Sequence, residues 1–267
     1  MALLLLLSSL LVACGGETTP AASPLTPPRP SFAATATVPP ATSDVGTVEA
    51  EGTADNYAAE REALVEQGVV GLGITEPAVV DAMRAVPRHR FVPKQYRTQA
   101  YENHPLPIGY GQTISQPYIV ALMTEAAAVG AGDTVLEVGT GSGYQAAVLA
   151  EIVDHVYTLE IIGALAERAE DTLDTLGYEN VTVRRADGYF GWEAHAPYDA
   201  IVVTAAPDHV PQPLVEQLKV GGQMIIPVGP VGGYQTLWRI TKVSEEEVQT
   251  EDLGGVRFVP LTREEEE

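Results

Sequence analysis

The sequence predicts an α/β domain built on a doubly wound, mostly parallel sheet with helices on both faces. Between residues 133 and 228, apolar runs typical of strands alternate with helical stretches. Such alternation produces parallel strands covered on both faces. Three glycines, Gly139, Gly141 and Gly143, lie between the first of these strands and the first helix. Because ligands of such sheets bind beyond the carboxyl ends of the strands, where the strand order reverses, we expect a site at this loop.

The individual elements follow from the spacing of apolar residues along the chain. Two helical patterns over 57–86 predict a small N-terminal helical lead-in, with Thr75 as an N-cap. Pro87 and Pro93 then bracket a segment that we expect to be a loop or short edge structure. In the main domain we predict strands over 134–138, 156–159, 181–184, 200–204 and 223–228, and helices over 144–152, 164–176 and 213–218.

Composition narrows the classes of partner. The formal net charge is -21, and the sequence has no cluster of Lys or Arg that would form a local basic patch. A nucleic-acid partner is therefore disfavoured. The single cysteine, Cys14, excludes an intrachain disulfide. The five histidines lack the short spacings of a zinc site, so we expect no metal. We also expect a monomer.

The first fourteen residues are similar to the signal peptide of a bacterial lipoprotein. An apolar run over 3–12, too short to span a bilayer comfortably, leads to Cys14 in a stretch that resembles a lipobox. We interpret 1–14 as a signal peptide and Cys14 as the lipidated residue, although no basic residue precedes the apolar core. The Pro-, Ala- and Thr-rich residues 15–56 predict a disordered tether, and 57–267 the folded domain. The alternative is a buried N-terminal helix with an incidental cysteine.

The glycine loop, residues 137–143, indicates a nucleotide-like ligand. Glycines let a ligand approach the backbone and let the next helix pack closely on the sheet. A dinucleotide fingerprint, as in an NAD-dependent oxidoreductase, needs Gly-x-Gly-x-x-Gly, but Tyr144 occupies its last position. Glu160 closes the second strand about twenty residues further on, where a carboxylate can accept hydrogen bonds from both ribose hydroxyls. The form Gly-x-Gly-x-Gly after Glu137 resembles motif I of the class I S-adenosylmethionine-dependent methyltransferases.

This resemblance implies a Rossmann-like fold and S-adenosyl-L-methionine as co-substrate, without a metal. In that family the residue that contacts adenine follows the third strand, which corresponds here to Asp187 and Gly188. The other cofactor contacts that the resemblance implies are Glu137, Gly139, Thr140, Gly141, Gly143 and Glu160.

Ser115 lies in a second informative segment, residues 112–117, ahead of a helical run. By itself Ser115 is an N-cap with Pro117 in the first turn, and a helix N-terminus of this kind can also bind a carboxylate. The segment Gln112-Thr113-Ile114-Ser115-Gln116-Pro117, followed by residues 135–144, closely resembles the protein-L-isoaspartate O-methyltransferases. Similar stretches at 87–93, 198–201, 221–222 and 256–261 extend the resemblance from about residue 57 to residue 262.

The resemblance implies methyl transfer to the α-carboxyl of L-isoaspartyl residues in damaged proteins and peptides, which begins repair through a succinimide. Ser115 would be the active-site residue, Thr113 and Ile114 would help to close over the cofactor, and Thr262 would approach it from the C-terminal segment. Members of the family are usually cytoplasmic, whereas a processed lipobox would make this chain a membrane-anchored lipoprotein facing the extracytoplasmic side. Two alternatives stay open: a catalytically silent, lipid-anchored binding module, and a methyltransferase that acts on a different carboxylate.

Overall fold

The computed structural model describes residues 56–263. The predicted signal peptide, the predicted lipidation site at Cys14 and all but the last residue of the predicted tether lie outside the described residues, as do the four terminal glutamates. Within 56–263, no helix has both the length and the apolar character needed to cross a bilayer.

A helical lead-in and a small hairpin precede the main sheet. In α2 (Pro77–Ala85), Val79, Val80 and Met83 are buried in the larger apolar core, so the lead-in packs against the sheet domain. The two strands of the hairpin pair with each other and form a separate two-stranded sheet. These elements are α1 (Ala58–Leu64), α2 (Pro77–Ala85), β1 (Leu106–Gly109), β2 (Gln112–Ile114) and α3 (Pro117–Ala127).

The main sheet has seven strands in the spatial order 5-4-3-6-7-8-9, numbered along the chain. The first five strands are parallel, and the last two run antiparallel to their neighbours. The elements are β3 (Thr134–Val138), α4 (Tyr144–Ala150), β4 (His155–Glu160), α5 (Gly163–Leu176), β5 (Val181–Arg185), β6 (Tyr198–Val203), α6 (Gln212–Gln217), β7 (Leu218–Val228), β8 (Gln235–Lys242) and β9 (Val248–Val256). The chain moves outward from β3 to β5 and returns beside β3 as β6, so the strand order reverses there.

The central strand β3 is buried on both faces. Its last residue, Val138, pairs with Leu159 of β4 and with Val203 of β6. Val135 belongs to one apolar core, while Leu136 and Val138 belong to the other. Because successive side chains of a strand point to opposite faces, the two cores lie on the two sides of the sheet. This burial explains the nearly continuous apolar run that predicted the strand.

The predicted class, the helical lead-in and the five parallel strands are confirmed. The strand predicted over 223–228 begins earlier, at Leu218, and its register with β6 shifts between residues 198 and 200. The two antiparallel strands β8 and β9 were not predicted. Most residues of β9 are exposed, so this edge strand lacks the apolar pattern on which the prediction depended.

Both predicted N-caps are wrong by one residue. Helix α2 is preceded by Glu76 and α3 by Gln116, and neither cap residue makes a side-chain capping hydrogen bond. The amides at these helix starts are satisfied from other parts of the chain. Thr75 N and Glu76 N donate to Glu125 Oε1 at 2.7 and 3.0 Å. Tyr118 N donates to Asn103 Oδ1 at 3.0 Å, which leaves the Ser115 hydroxyl without a capping role.

The segment between Pro87 and Pro93 is a short 3-10 helix over Arg88–Phe91, and not a loop or edge strand. Arg88 and Phe91 are buried in it. A single 3-10 turn forms hydrogen bonds within its own backbone, and it directs these two large side chains inward.

Candidate functional site

A cleft opens at the carboxyl end of β3, where the strand order reverses. Together with the solvent at its mouth it has a volume of about 750 Å³. Most of its wall comes from four stretches of chain: residues 112–115, the glycine loop, residues 159–162 at the end of β4, and residues 259–262, which we call the C-terminal strap. Gly188, Thr204 and Ala205 also line it. The site therefore lies where the topology predicts it.

The glycine loop approaches its neighbours too closely for side chains. Gly139 has a φ of +101°, and a Cβ at this position would lie 2.5 Å from Thr204 Oγ1. Thr204, just after β6, donates from that oxygen to the carbonyl of Val138 at 3.0 Å. Gly143 has a φ of +87° and faces α5, where a Cβ would lie 3.2 Å from Leu173 Cδ1. Gly139 thus leaves room for Thr204, whereas Gly143 lets α4 pack against α5.

Glu160 is a buried carboxylate at the end of β4. Its Oε2 accepts from Gly141 N at 2.7 Å, and its Oε1 accepts from Ile162 N at 3.0 Å. These two amides orient the carboxylate at the wall of the cleft and leave lone pairs on both oxygens for further donors. Such an arrangement suits a ligand with two adjacent hydroxyls.

Glu137 is fully buried beneath the glycine loop. Thr158 Oγ1 donates to Glu137 Oε2 at 2.5 Å and lies 2.6 Å from Thr140 Oγ1. Glu137 Oε1 has no hydrogen-bond partner among the described residues, although it is buried and its residue lines the cleft. Burial raises the pKa of Glu137 to about 8; the hydrogen bond from Thr158 opposes this rise, and the nearby Glu160 carboxyl adds to it. A buried acceptor of this kind calls for a donor or cation from a ligand.

Ser115 enters the cleft from the far end of the β1–β2 hairpin. Its carbonyl oxygen accepts from Arg88 Nη2 at 2.8 Å, and Arg88 Nε donates to the carbonyl of Ala100 at 2.9 Å. The guanidinium also lies over the ring of Tyr144, with Cζ 4.8 Å from the ring centroid. Tyr144 begins α4 directly after the glycine loop. Arg88 therefore connects the serine segment to the loop from inside the core.

The C-terminal strap closes one side of the cleft. Pro260 of the strap forms a parallel β-bridge with Ala206. In this bridge Ala206 N donates to Val259 O at 2.8 Å, and Leu261 N donates to Ala206 O at 2.9 Å. These bonds bring Pro260 and Thr262 to the cleft, so a segment far away in sequence completes the site.

The structure brings most of the predicted site residues together. Those that line the cleft are Ser115, Thr113, Ile114, Glu137, Gly139, Thr140, Gly141, Glu160, Gly188 and Thr262. Gly143 and Asp187 do not line it: Gly143 packs against α5, and the Asp187 carboxylate accepts from Arg263 Nε at 2.8 Å and from Tyr189 N at 3.0 Å.

Sequence reasoning missed Thr204 and Arg88. A usable signal for Thr204 is its position: it is a hydroxyl residue at the end of the strand beside β3, at the reversal point. Arg88 had no comparable signal, because only the tertiary structure shows which carbonyls it reaches. No group of three or more potential metal-ligating side chains occurs within residues 56–263.

Comparisons with known proteins agree with this geometry. Residues 59–266 match the family model described as protein-L-isoaspartate(D-aspartate) O-methyltransferase. The chain is 58% identical over 193 residues to Protein-L-isoaspartate O-methyltransferase 2 of Syntrophobacter fumaroxidans. The aligned region covers 72% of this chain and 78% of that protein. It is 54% identical over 208 residues to Protein-L-isoaspartate O-methyltransferase of Picosynechococcus sp.. That aligned region covers 78% of this chain and 92% of the relative.

Solved structures show the same likeness. One protein-L-isoaspartate O-methyltransferase superposes with a TM-score of 0.70 at 31% identity, over 75% of this chain and 65% of that one. Another, from Plasmodium falciparum and solved in complex with S-adenosyl-L-homocysteine, superposes with a TM-score of 0.66 at 25% identity, over 78% of this chain and 99% of that one. The chain belongs to the protein-L-isoaspartate(D-aspartate) O-methyltransferase family.

Proposed function

We propose that the chain transfers the methyl group of S-adenosyl-L-methionine to the α-carboxyl of L-isoaspartyl residues in proteins and peptides. The observation that carries this function is that one cleft has both the glycine loop with its two acidic residues and the Ser115 segment in its walls. Membership of the family supplies the substrate class.

The residues of the cleft fit this cofactor. The unpaired Oε1 of Glu137 is a buried acceptor suited to the ammonium of the methionine part, and Glu160 retains acceptor capacity for ribose hydroxyls. Gly139 and Thr204 both line the cleft, and Thr204 Oγ1 occupies the space that a Cβ at residue 139 would need. When bound, the sulfonium supplies an electrophilic methyl group. Thr113, Ile114, Thr140, Gly141, Gly188 and Thr262 would form the rest of the cofactor wall.

The acceptor needs positioning more than activation. An α-carboxyl is ionised at neutral pH, so its oxygen can attack the methyl group in line without a strong general base. The Ser115 hydroxyl would orient that carboxylate, and Arg88 fixes the Ser115 backbone through its carbonyl. The methyl ester then loses methanol and closes to a succinimide without help from a protein residue, and opening of the succinimide returns some normal aspartate.

The decisive test is labelled methyl transfer to paired peptides that differ only in isoaspartate versus aspartate. We expect labelling of the isoaspartyl peptide alone. Equal labelling would favour a methyltransferase for a different carboxylate, and cofactor binding without labelling would favour a silent binding module; either result would overturn the repair function. Ser115→Ala should lower the rate, whereas Ser244→Ala, in the turn between β8 and β9, is the matched control.

We also propose that the domain is a lipoprotein attached through Cys14. Support comes from the apolar run over 3–12, the lipobox-like residues before Cys14 and the Pro-rich stretch that follows. Fractionation of cells and the mass of the mature N-terminus test this proposal. A diacylated Cys14 in the membrane fraction is expected. An intact, unacylated Met1 in the soluble fraction would indicate a cytoplasmic protein instead.

A further inference from the structure

Among residues 56–263, the two most exposed large apolar side chains lie in one loop. Val231 is 72% exposed and Tyr234 is 61% exposed. Both belong to residues 229–234, which connect β7 to β8 and which we call the β7–β8 loop. Single apolar residues are normal at a protein surface, whereas two large ones presented by one short loop point to a binding surface.

Hydrogen bonds at its base fix the shape of the β7–β8 loop. The buried Gln235 donates from Nε2 to the carbonyls of Pro230 and Gly233, at 3.2 Å in both cases. Gly233 N also donates to Pro230 O at 3.1 Å. The Arg257 guanidinium lies over the Tyr234 ring, with Cζ 5.4 Å from the ring centroid. Because the loop is already shaped in this way, little conformational entropy is lost when a partner binds to it.

The β7–β8 loop adjoins the cleft from two directions. It follows β7, which pairs with β6, and the residues just after β6 line the cleft. Gly229 N donates to Pro207 O at 3.1 Å, so the start of the loop is joined to the segment after β6. At the other end, Gln235 Oε1 accepts from Phe258 N at 2.9 Å, and Phe258 directly precedes the C-terminal strap. A polypeptide seated in the cleft can therefore reach the loop across the strap.

The charge beside the loop suits a peptide that bears carboxylates. The whole chain has a formal net charge of -21, which repels such a peptide. Arg257 is an exposed cation next to Tyr234, and it pairs with no carboxylate in the part of the chain that the structure describes. Its positive charge lowers the repulsion at this point of the surface.

We propose that the β7–β8 loop docks an apolar or aromatic side chain of the substrate polypeptide, a few positions from the isoaspartyl residue in the cleft. This inference rests on the proposed function, since it takes an isoaspartyl peptide as the substrate. Val231 and Tyr234 contact the flanking side chain and not the cofactor. Because this contact is the same in the ground state and the transition state, it lowers KM and leaves kcat unchanged.

The test compares steady-state methylation of isoaspartyl peptides by the full-length protein. A reference peptide has alanine at every flanking position, and each of the other peptides has one tyrosine close to the isoaspartate, on either side. Tyrosine at a favourable position should lower KM roughly threefold to tenfold, as expected for one aromatic contact at the surface. Tyr234→Ala and Val231→Ser should each remove most of this preference, without a change in kcat or in the Kd for S-adenosyl-L-homocysteine.

Two variants serve as controls. Tyr234→Phe should keep the preference, because the ring remains. Val220→Ser matches Val231→Ser: Val220 is 49% exposed and lies near the start of β7, at the edge of the sheet opposite the cleft. It should leave KM unchanged for every peptide. Thermal unfolding of Tyr234→Ala and Val231→Ser should match the wild type, because both side chains are exposed.

A tyrosine preference that persists in both Tyr234→Ala and Val231→Ser would overturn the docking proposal, and so would the absence of any preference in the wild-type protein. Sedimentation velocity tests the other occupant. A dimer that these two variants abolish would assign the loop to contact with a second copy of the chain, and would also overturn peptide docking. Failure of the proposed function is distinguishable, because the wild-type protein would then methylate none of the isoaspartyl peptides, the reference peptide included.

Discussion

Arg88 Nη2 donates to the carbonyl oxygen of Ser115 at 2.8 Å from a fully buried position. Burial lowers the pKa of Arg88 to about 10, so the guanidinium is still charged at neutral pH. A buried cation with no carboxylate among the partners described above is costly, and its hydrogen bonds to two carbonyls offset part of that cost.

We expect Arg88→Met to lower the free energy of unfolding by about 2–4 kcal/mol, because a buried carbonyl and a partly buried carbonyl lose their donor. Arg88→Lys should lose less. Both variants should raise KM for the isoaspartyl peptide, because Ser115 loses the hydrogen bond to its carbonyl oxygen. The Kd for S-adenosyl-L-homocysteine should change by a smaller factor. Urea unfolding and steady-state kinetics measure these effects. Arg84→Lys, in an exposed ion-pair cluster on α2, is the control. An unchanged KM would show that the contact serves stability alone.

Glu137 should make the stability of the ligand-free protein depend on pH. Its pKa is raised from 4.5 to about 8 in the folded state, so the native protein binds more protons than the unfolded chain between these values. The free energy of unfolding should therefore fall as pH rises from about 5 to about 8 through this group.

Glu137→Gln should remove that contribution. The difference between wild type and variant, measured by urea unfolding at several pH values, isolates it from the other titrating groups. Parallel curves for the two proteins would contradict the prediction. The variant should also bind S-adenosyl-L-homocysteine more weakly, because the amide offers no negative charge to the ammonium.

Gly139→Ala should lower the free energy of unfolding by more than the strain of a left-handed backbone conformation explains. Gly139 and Gly177 both have positive φ, but only at Gly139 would a Cβ clash, 2.5 Å from Thr204 Oγ1. We expect Gly177→Ala to cost about 1–2 kcal/mol from the left-handed backbone and Gly139→Ala to cost more. Gly139→Ala should also abolish product binding.

Removal of the clashing oxygen tests the cause. The double variant Gly139→Ala/Thr204→Ala should recover part of the stability lost in Gly139→Ala, and a double-mutant cycle by urea unfolding quantifies the coupling. Purely additive losses would show that the clash with Thr204 does not explain the effect.

Glu125 should stabilise the lead-in through the start of α2. Its Oε1 accepts from Thr75 N and Glu76 N. Loss of an N-terminal cap costs about 1 kcal/mol, and we expect that loss for Glu125→Ala. Glu125→Gln should lose less, because an amide oxygen remains. Glu170→Ala, an exposed acidic position on α5, is the control in thermal unfolding. Equal losses for Glu125→Ala and Glu170→Ala would argue against the cap.

The sequence was sufficient to predict those elements and site residues whose pattern lies within one short stretch of the chain. The central parallel strands β3, β4 and β6 are largely buried, so their apolar runs could be recognised without knowledge of the partners. The glycine loop could be placed in the site because parallel strands bring their carboxyl ends to one edge, and Glu160 could be placed for the same reason. The serine segment was found through family resemblance, and the structure puts Ser115 in the same cleft.

The tertiary structure decided everything that depends on groups distant in the chain. The helix starts at Pro77 and Pro117 are capped by Glu125 and Asn103 and not by the neighbouring Thr75 and Ser115, because a carboxylate or amide from another element can reach the free amides. The exposed edge strand β9 has no apolar period, so only its pairing with β8 reveals it.

The same division applies to the cleft. From the sequence, residues 137–143 and Glu160 could be assigned to one site by motif spacing and strand topology, and Ser115 could be added through the family resemblance. The roles of Arg88 and Thr204 could not be assigned, because each depends on a hydrogen bond with a residue more than ten positions away. Such contacts are set by how the elements pack, and packing is a property of the whole fold.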